Sequence, residues 1–438
     1  MSTQTISQTE TKAFSPTGGQ RKYFFILLFL LYVFDYIDRN IVTVLFPQLK
    51  AEFGLTDTEC GSLVSVVTIS VAIFTFPVSI LIDRWSRKKS IGLMAVLWSV
   101  AAASCAFTNS FKQLFVLRGA VGVGEAGYTP GGVAMITAYY PPEKRTTMMG
   151  LWNAGLPLGV AIGLTLGGYI STHYGWRFAF GVTAIPGLIV AILFFWVKDY
   201  KTVKLVEPAS TGGQTEAVKK KSLSEIVKGF AATPSLILTY IGYIGATFCS
   251  FGVLTWLPTY FHRYDGLSMD KAGPKAALVF LLAIVGAPLG GFIADKMRKK
   301  HSNAGLLVPA YTQLINGLLF AAAFFLLEGK MQYIVLVLTG ITMPMFIAGA
   351  ATTTQDVVHP GLRAISYGLN AVIFFIFSGT LAPIFVGALS DKFDLLTAFK
   401  FLPIFSILSF VAFLVGSKFY EKDLEKVKNF TLEETEEA

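Results

Sequence analysis

Five ionisable residues stand inside long apolar runs: Asp35, Asp38 and Arg39 within residues 22–47, and Arg118 and Glu125 within 112–138. An ionisable group at membrane depth is costly unless it is paired or hydrated, so each marks a functional candidate. Asp35 and Arg39 are four residues apart and share a helix face on which an ion pair can form. Asp38 lies one turn from Asp35, and an acid left without a partner there can carry a proton. Arg118 and Glu125 are seven apart, two turns along nearly one face, which sets a cation and an acid about 10 Å apart on one wall. The chemistry this suits is capture of an anion. Arg39 or Arg118 can hold a substrate carboxylate by bidentate hydrogen bonds, while Glu125, Asp38 or Asp35 exchanges a proton with the medium. A carboxylic acid beside an arginine ionises readily. Substrate competing for that arginine frees the carboxylate to take a proton, and the two movements become coupled. The alternative is that Asp35–Arg39 and Arg118–Glu125 are static pairs holding the two runs together.

The elements that must position these groups are membrane helices. The chain has 438 residues, 53% of them hydrophobic and 14% charged, where ordinary soluble domains carry about 25% charged residues. Mean hydropathy is +0.60, and a water-soluble globule is excluded. A helix crosses the hydrocarbon core in roughly 20 apolar residues. Twelve runs qualify, at about 22–47, 60–82, 90–108, 112–138, 146–171, 176–197, 234–261, 271–295, 304–327, 331–355, 362–389 and 395–420. None shows the short alternation of a barrel strand. The first run carries charges and has no small-residue cleavage site after it, so it is a span and not a signal peptide.

Several function classes fall away. Three cysteines exclude a disulfide scaffold, and they read as small packing residues. The four histidines are isolated near loop edges, so no metal site is expected. Gly119-x-x-Gly122-x-Gly124 has a loose dinucleotide-motif flavour but no strand before it. No catalytic constellation suggests an enzyme, and no nucleotide-binding loop suggests an ATP-driven pump. The net charge of +9 is topological and gives no cause to expect nucleic acid. Twenty-five of the 36 lysines and arginines fall on the side holding the N-terminus, the even-to-odd loops and the C-terminus. Nine lie opposite, and the remaining two are Arg39 and Arg118. By the positive-inside rule both termini are cytoplasmic.

Residues 198–233 form the one long polar interior segment and divide the chain into six spans and six spans. The expected organisation is a cytoplasmic N-terminal tail (1–21), an N-terminal bundle (22–197), a cytoplasmic linker (198–233), a C-terminal bundle (234–420) and a polar, disordered acidic tail (421–438). The halves echo each other. SILIDRWSRKK after span 2 parallels GFIADKMRKK after span 8, Arg145 precedes Gly150 as Arg363 precedes Gly368, and GGYIS ending at Ser171 parallels VGALS ending at Ser390. Matched halves around a central site are the logic of many secondary transporters. Gly155, Gly159, Gly163 and Gly167 in span 5, with Gly286 and Gly290 in span 8, each bare one helix face. Small residues let backbones approach closely in lipid. These read as the surfaces on which the two bundles face each other, with packing inside one bundle as the alternative.

The sequence resembles the major facilitator superfamily over residues 20–420. Asp83-Arg84-x-x-Arg87-Lys88-Lys89 resembles its signature between spans 2 and 3, with Ser79 and Ser86 where glycines are usual. Arg118 through Gly122, Gly124, Glu125 and Ala126 resembles its span-4 signature. VGVGEAGYTP (121–130), DRWSRKK (83–89) and APIFVGALSD (382–391) look most like the bacterial spinster-like branch. Asp35-Tyr36-Ile37-Asp38-Arg39 and Gly175-Trp176-Arg177 are similar to the organic anion:cation symporters. The resemblance implies an all-α membrane protein of twelve helices in two six-helix bundles related by pseudo-twofold symmetry. It also implies that Asp83, with Arg84 and Arg87, latches onto the N-terminus of span 11, where a helix dipole favours an anion. Arg145 and Asp295 would be weaker counterparts. An ordinary positive-inside loop is the alternative.

The second half is aromatic and hydroxylic where the first is ionic: Tyr243, Trp256 and Tyr260 in span 7, Thr352 to Asp356 in span 10, Asn370 in span 11. With Arg39, Arg118, Tyr128 and Asn153 from the first half they form the expected substrate site, suited to an anionic end and a larger neutral body. The expected function is secondary active transport of a small organic anion by proton-coupled alternating access. A proton gradient drives it, with no cofactor, in a monomer in a bacterial inner membrane. Spinster-like movement of a lysophospholipid or sphingoid-type amphiphile is the second reading. A non-transporting membrane receptor is the third, although no output domain exceeds the linker of about 36 residues.

Overall fold

The computed structural model describes residues 16–199 and 228–436, and among these there is no strand. The first half is built of α1 (Gly18–Ile41), a 3-10 turn (Val42–Val44), α2 (Phe46–Phe53), α3 (Asp57–Arg84), α4 (Arg87–Cys105), α5 (Phe111–Glu125), α6 (Tyr128–Tyr139), α7 (Pro142–Asn153), α8 (Gly155–Tyr174) and α9 (Trp176–Phe194). The second half holds α10 (Pro234–Tyr264), α11 (Met269–Leu281), α12 (Ala283–Arg298), α13 (Ala304–Phe325), α14 (Gly329–Thr342), α15 (Phe346–Asp356), α16 (Arg363–Phe374), α17 (Leu381–Lys392) and α18 (Leu395–Glu436). A 3-10 turn at Met343–Met345 joins α14 to α15, and a π-helical turn at Phe375–Thr380 joins α16 to α17.

Nine helical segments among the described residues are long and apolar enough to cross a membrane. The three runs that fail this test are α1, α4 and the α5–α6 pair, all helical. Charge dilutes α1 (Asp35, Asp38, Arg39) and the basic start of α4, while α5 and α6, broken after Glu125, are 15 and 12 residues long and each too short alone. The two chain ends and the linker's edges share one end of the molecule, here the near end. Tyr140 donates to the Arg21 carbonyl (3.2 Å) and Tyr139 to the Lys198 carbonyl, while Asp423 accepts from the Ser235 amide (3.0 Å). Most of the linker lies outside the described residues. The tail differs from expectation: α18 continues to Glu436 instead of ending in a disordered segment. Its Glu, Lys and Leu residues favour helix, and Asp423, paired with Lys426 on the same helix (2.8 Å), docks it by accepting from Ser235 at the start of α10.

The bundles touch along two seams, α3 against α17 with its π turn, and α8 against α11. Both seams lie toward the far end, where the α1–α2 turn also meets α10 and Phe46 packs on Trp256 at 5.0 Å between ring centres. At the near end Gly150 and Gly368, matched in the repeat, each have open space around them. The two bundles are therefore apart at the near end and closed at the far end.

The glycine faces require a correction. A Cβ on Gly159 would sit 2.6 Å from the Tyr36 Cβ and the Val33 carbonyl, one on Gly163 3.1 Å from the Ile37 Cα, and one on Gly167 2.6 Å from the Ile41 side chain. Gly155 meets Tyr32 in the same row. The stripe thus seats α8 on α1 inside the first bundle. Gly286 and Gly290 lie against the Ile341 and Met345 carbonyls inside the second. An interval of four marks a flat face but does not say which neighbour it meets. The glycines between bundles are others: Gly61, Gly168, Gly273, Gly379 and Gly387.

Substituting Gly159 by Val should cost about 1–3 kcal/mol through overpacking, read as a lower melting temperature in detergent. Gly181→Ala, with nothing within 4 Å of its added carbon, should leave it unchanged. A Gly159→Val protein as stable as its parent would show that α1 and α8 do not pack this closely.

Candidate functional site: a charged cluster between broken helices

The end of α1 creates the first requirement. A 3-10 turn replaces its next α-helical turn, which changes the pairing of its last carbonyls, and lipid offers no water to make up the difference. Arg118, fully buried, meets that need. Its Nη1 donates to the Asp38 carbonyl (2.8 Å), Nη2 to the Arg39 carbonyl (3.2 Å) and Nε to the Leu63 carbonyl of α3 (3.3 Å). A cation at a helix C-terminus also complements the dipole. Arg118 therefore joins α1, α3 and α5 through backbone oxygens. The geometry does not present it to an anion, contrary to the substrate role expected of it, nor does it show the Arg118–Glu125 pair weighed as the static alternative.

Glu125 pairs instead with Arg39. The Arg39 Nε lies 2.9 Å from the Glu125 Oε2 and 3.2 Å from the Asp35 Oδ2, at ion-pair distance without the alignment of a hydrogen bond. Nη2 donates to the Asp35 Oδ1 at 3.3 Å. Both acids are buried, whereas the Arg39 side chain is 17% exposed. The Tyr36 ring lies 5.3 Å from the guanidinium carbon. Two carboxylates thus share one guanidinium, and the Arg39 side chain is the partly exposed member of the three. Asp38 is separate. It is buried, and neither carboxylate oxygen has a hydrogen-bond partner. Thr183 is its neighbour, but the Thr183 hydroxyl is donated to the Ala179 and Phe180 carbonyls.

Glycines make these approaches possible. A Cβ on Gly122 would strike the Val67 carbonyl, and one on Gly124 would sit 2.7–2.9 Å from Trp98, so α5 can reach both α3 and α4. The helices break where the site lies. α5 stops at Glu125 and α7 at Asn153, α1 unwinds at Val42, and the π turn interrupts span 11. Irregular backbone at membrane depth is tolerated where it is buried in protein or lines a cavity.

The expected substrate residues divide. Asn153 is exposed at the α7–α8 break. Asn370 is buried, and its Oδ1 lacks a hydrogen-bond partner. Tyr243 is buried, stacked on Phe374 (5.5 Å) and edge-on to Phe346 (4.9 Å). Tyr128 is committed to packing: its hydroxyl donates to the Leu28 carbonyl, accepts from Trp152 (3.3 Å), and its ring stacks on Tyr32. Trp256 donates to the Pro383 carbonyl (3.0 Å), and Tyr260 accepts from Gln332 (2.8 Å). Those two sit in the closed far end, so the aromatic half of the expected site is reduced to Tyr243.

The near-end loop is less informative. Asp83 and Arg84 end α3, but their side chains lie outside the described residues. Ser86, one of the serines in place of glycine, caps α4 by accepting from the Lys89 amide (3.1 Å) and bonds Asp199. Arg145 donates to the Tyr140 carbonyl (3.0 Å), a contact inside its own bundle, and Asp295 is exposed. An inter-bundle cluster that the sequence reading missed lies at the far end, around Asp57, Arg263 and Asp391. Lys50 and Arg263 stood out only as two of the few basic residues on the sparsely basic side.

Two helical bundles with charges buried at broken helices define a membrane transporter, and family comparison agrees. Residues 28–380 match the model of the Major Facilitator Superfamily, and the chain belongs to that family. It is thus a multi-pass integral membrane protein of a transporter family, not an enzyme. A hexuronate transporter of Bacillus subtilis (strain 168) is 27% identical, with 76% of this chain and 79% of that protein aligned. A probable sphingolipid transporter, spinster homolog 1 of Arabidopsis thaliana, is 26% identical over 78% of this chain and 74% of its own length. The fold matches the crystal structure of a bacterial homolog to the human lysosomal transporter spinster, in an inward-facing and unoccupied conformation. The TM-score is 0.75 and the identity 22%, covering 94% of this chain and 99% of that one.

Arg118→Lys should lower the melting point nearly as far as Arg118→Gln. One ammonium cannot serve three carbonyls on two helices, and a charged hydrogen bond is worth about 1.5–3 kcal/mol. A lysine variant as stable as the parent would show that the three carbonyls do not need the guanidinium fork.

Proposed function

We propose that this transporter carries a small carboxylate-bearing organic anion of the sugar-acid kind, in symport with protons, by alternating access. One observation carries the reading: Arg39 is partly exposed and is held by two buried carboxylates, Asp35 and Glu125. A substrate carboxylate entering from the open near end competes for that guanidinium. The displaced acid then sits in low dielectric without its counter-charge, where the neutral form costs far less than the anion. It takes up a proton. Release of the anion returns Arg39 to the acid, which gives the proton up. Asp38, with no hydrogen bond to hold its charge, is the second exchange site. Asn153, Asn370 and Tyr243 surround the neutral part of the substrate.

The remaining assignments belong to the same proposal. The basic residues cluster on the side of the termini, which supports cytoplasmic termini in a bacterial inner membrane. The near end is then the cytoplasmic end. A proton gradient supplies the energy and no cofactor takes part. The working unit is a monomer in the bilayer, with no nucleic-acid partner.

Proteoliposomes test the coupling. With an inwardly directed proton gradient and labelled hexuronate, the parent should accumulate substrate. Glu125→Gln and Asp38→Asn should lose accumulation and keep counterflow, and Arg39→Ala should lose both. Full gradient-driven accumulation in both acid variants would refute the proton role, and absence of any flux in the parent would favour a receptor.

The amphiphile reading is favoured by the spinster-type relative and by the apolar Tyr243, Phe346 and Phe374 cluster. Thermal stability against sugar acids and lysolipids separates the two. A ligand at about 100 times its Kd adds about 2.7 kcal/mol. Sugar acids should stabilise the parent but not Arg39→Ala. Stabilisation by lysolipids alone would overturn the anion assignment.

A further inference from the structure

The two seams are copies of one contact. Aligning Gly61 with Gly273, and Gly387 with Gly168, superposes their packing. Gly387 lies against the Asp57 carbonyl as Gly168 lies against the Met269 carbonyl, and Gly61 meets the Pro383 carbonyl as Gly273 meets the Leu164 carbonyl. The start of span 2 rests on the end of span 11 as the start of span 8 rests on the end of span 5.

The polar chemistry of the seams is not copied. In the first seam, Asp391 accepts from the amides of Asp57 (2.7 Å) and Thr58 (2.8 Å) and from the Thr58 hydroxyl (2.6 Å), and so caps α3 from the opposite bundle. Arg263 grips Asp57 with two donors, Nη1 to Oδ2 at 2.7 Å and Nη2 to Oδ1 at 2.6 Å. Ser390 donates to the same carboxylate (2.5 Å), and Lys50 pairs with it. Asp57 is buried beneath these partners. The residues at the matched positions in the second seam are Met269 for Asp57 and Thr172 for Asp391, and neither can ionise. Asp270, matched to Thr58, is the acid of the second seam, and its Oδ1 has no hydrogen-bond partner. Among the described residues glycine packing thus closes that seam without the bidentate pair and the anionic cap, and the charges at the first one serve something else.

We propose that Asp57, Arg263 and Asp391 form a far-end latch that sets the balance between near-end-open and far-end-open states. Bidentate pairing and an anionic cap are directional and are lost within a small displacement. Every transport cycle must break them, because α3 and α10 belong to different bundles. The latch acts through the bundles themselves, so the inference stands whatever the substrate and whatever ion is coupled.

Distances between spin labels at Ala51→Cys and Lys392→Cys test it on the full chain in nanodiscs without substrate. Both positions are exposed at the far end, one on each bundle, and the native cysteines are buried. Asp391→Asn and Arg263→Gln, each alone, should raise the ratio of the long-distance to the short-distance population about tenfold, the factor of one charge-assisted hydrogen bond. Glu52→Gln breaks the Glu52–Arg177 pair (2.7 Å), which lies at the same end but inside the first bundle, and should leave the ratio unchanged. Melting curves confirm that each variant is folded. Unchanged distances in folded Asp391→Asn and Arg263→Gln proteins would overturn the proposal, as would an equal shift in Glu52→Gln.

Discussion

A guanidinium shared by two acids, in a space that water barely reaches, is the constraint around which the first bundle is arranged. Arg39 can satisfy Asp35 from its own helix, because four residues place the two on one face. Glu125 must be brought from α5, which requires α5 to lie close against its neighbours. Gly122 and Gly124 allow that approach. The helix ends at Glu125, so the carboxylate sits at a break in the backbone. Arg118 supplies the rest of the frame by bonding the carbonyls that α1 leaves open where it unwinds. The two arginines on adjacent faces thus divide the labour. Arg118 is buried and spent on backbone, while Arg39 is partly exposed and spent on two carboxylates.

The duplicated architecture makes that division possible. Two copies of a six-helix unit give two equivalent glycine-lined seams, of which only the first carries a bidentate ion pair and an acidic cap among the described residues. Function is then added unequally. The first copy acquired the buried ions near its centre, and the seam between its span 2 and span 11 acquired Asp57 and Asp391 at the far end. The other seam, between span 5 and span 8, has Met269 and Thr172 at the matched positions, and the second bundle is aromatic and hydroxylic where the first is ionic. A symmetric scaffold with asymmetric chemistry can rock between two states of similar packing while only one of them is held by ionic contacts.

Much of this was legible in the chain. The twelve apolar runs, the division into halves and the five buried charges follow from hydropathy and from the cost of charge in lipid. The Asp35–Arg39 pair follows from helix periodicity. What was not legible depends on contacts between helices. Spacing set Glu125 opposite Arg118 on one face of α5, but the helix-to-helix distance gave it to Arg39 instead. A stripe of glycines at intervals of four announced a close neighbour without naming it, and the neighbour was α1 in the same bundle. Trp256 and Tyr260 point into the first bundle's far end and into span 10, because the seam there is closed. Asp391 followed a helix as any loop acid would, and its role as a cap depended on a helix more than 300 residues earlier in the chain.

The buried charges and the seam are also physically continuous. Arg118 bonds the carbonyls of Asp38 and Arg39 on one side and that of Leu63 on the other. Two residues further along α3, Ser65 donates to the Thr380 carbonyl in the π turn of the opposite bundle (2.5 Å), and Gly379 in that turn lies against Thr68. A π turn leaves one residue more than the helix can pair and is a common place for a helix to flex. The Arg118 guanidinium thus links α1 to α3, and α3 meets the other bundle at an irregular turn of backbone. The same α3 carries Asp57 at its far-end start, so a single helix joins the buried charge cluster at the centre to the ionic contact between the bundles at the far end.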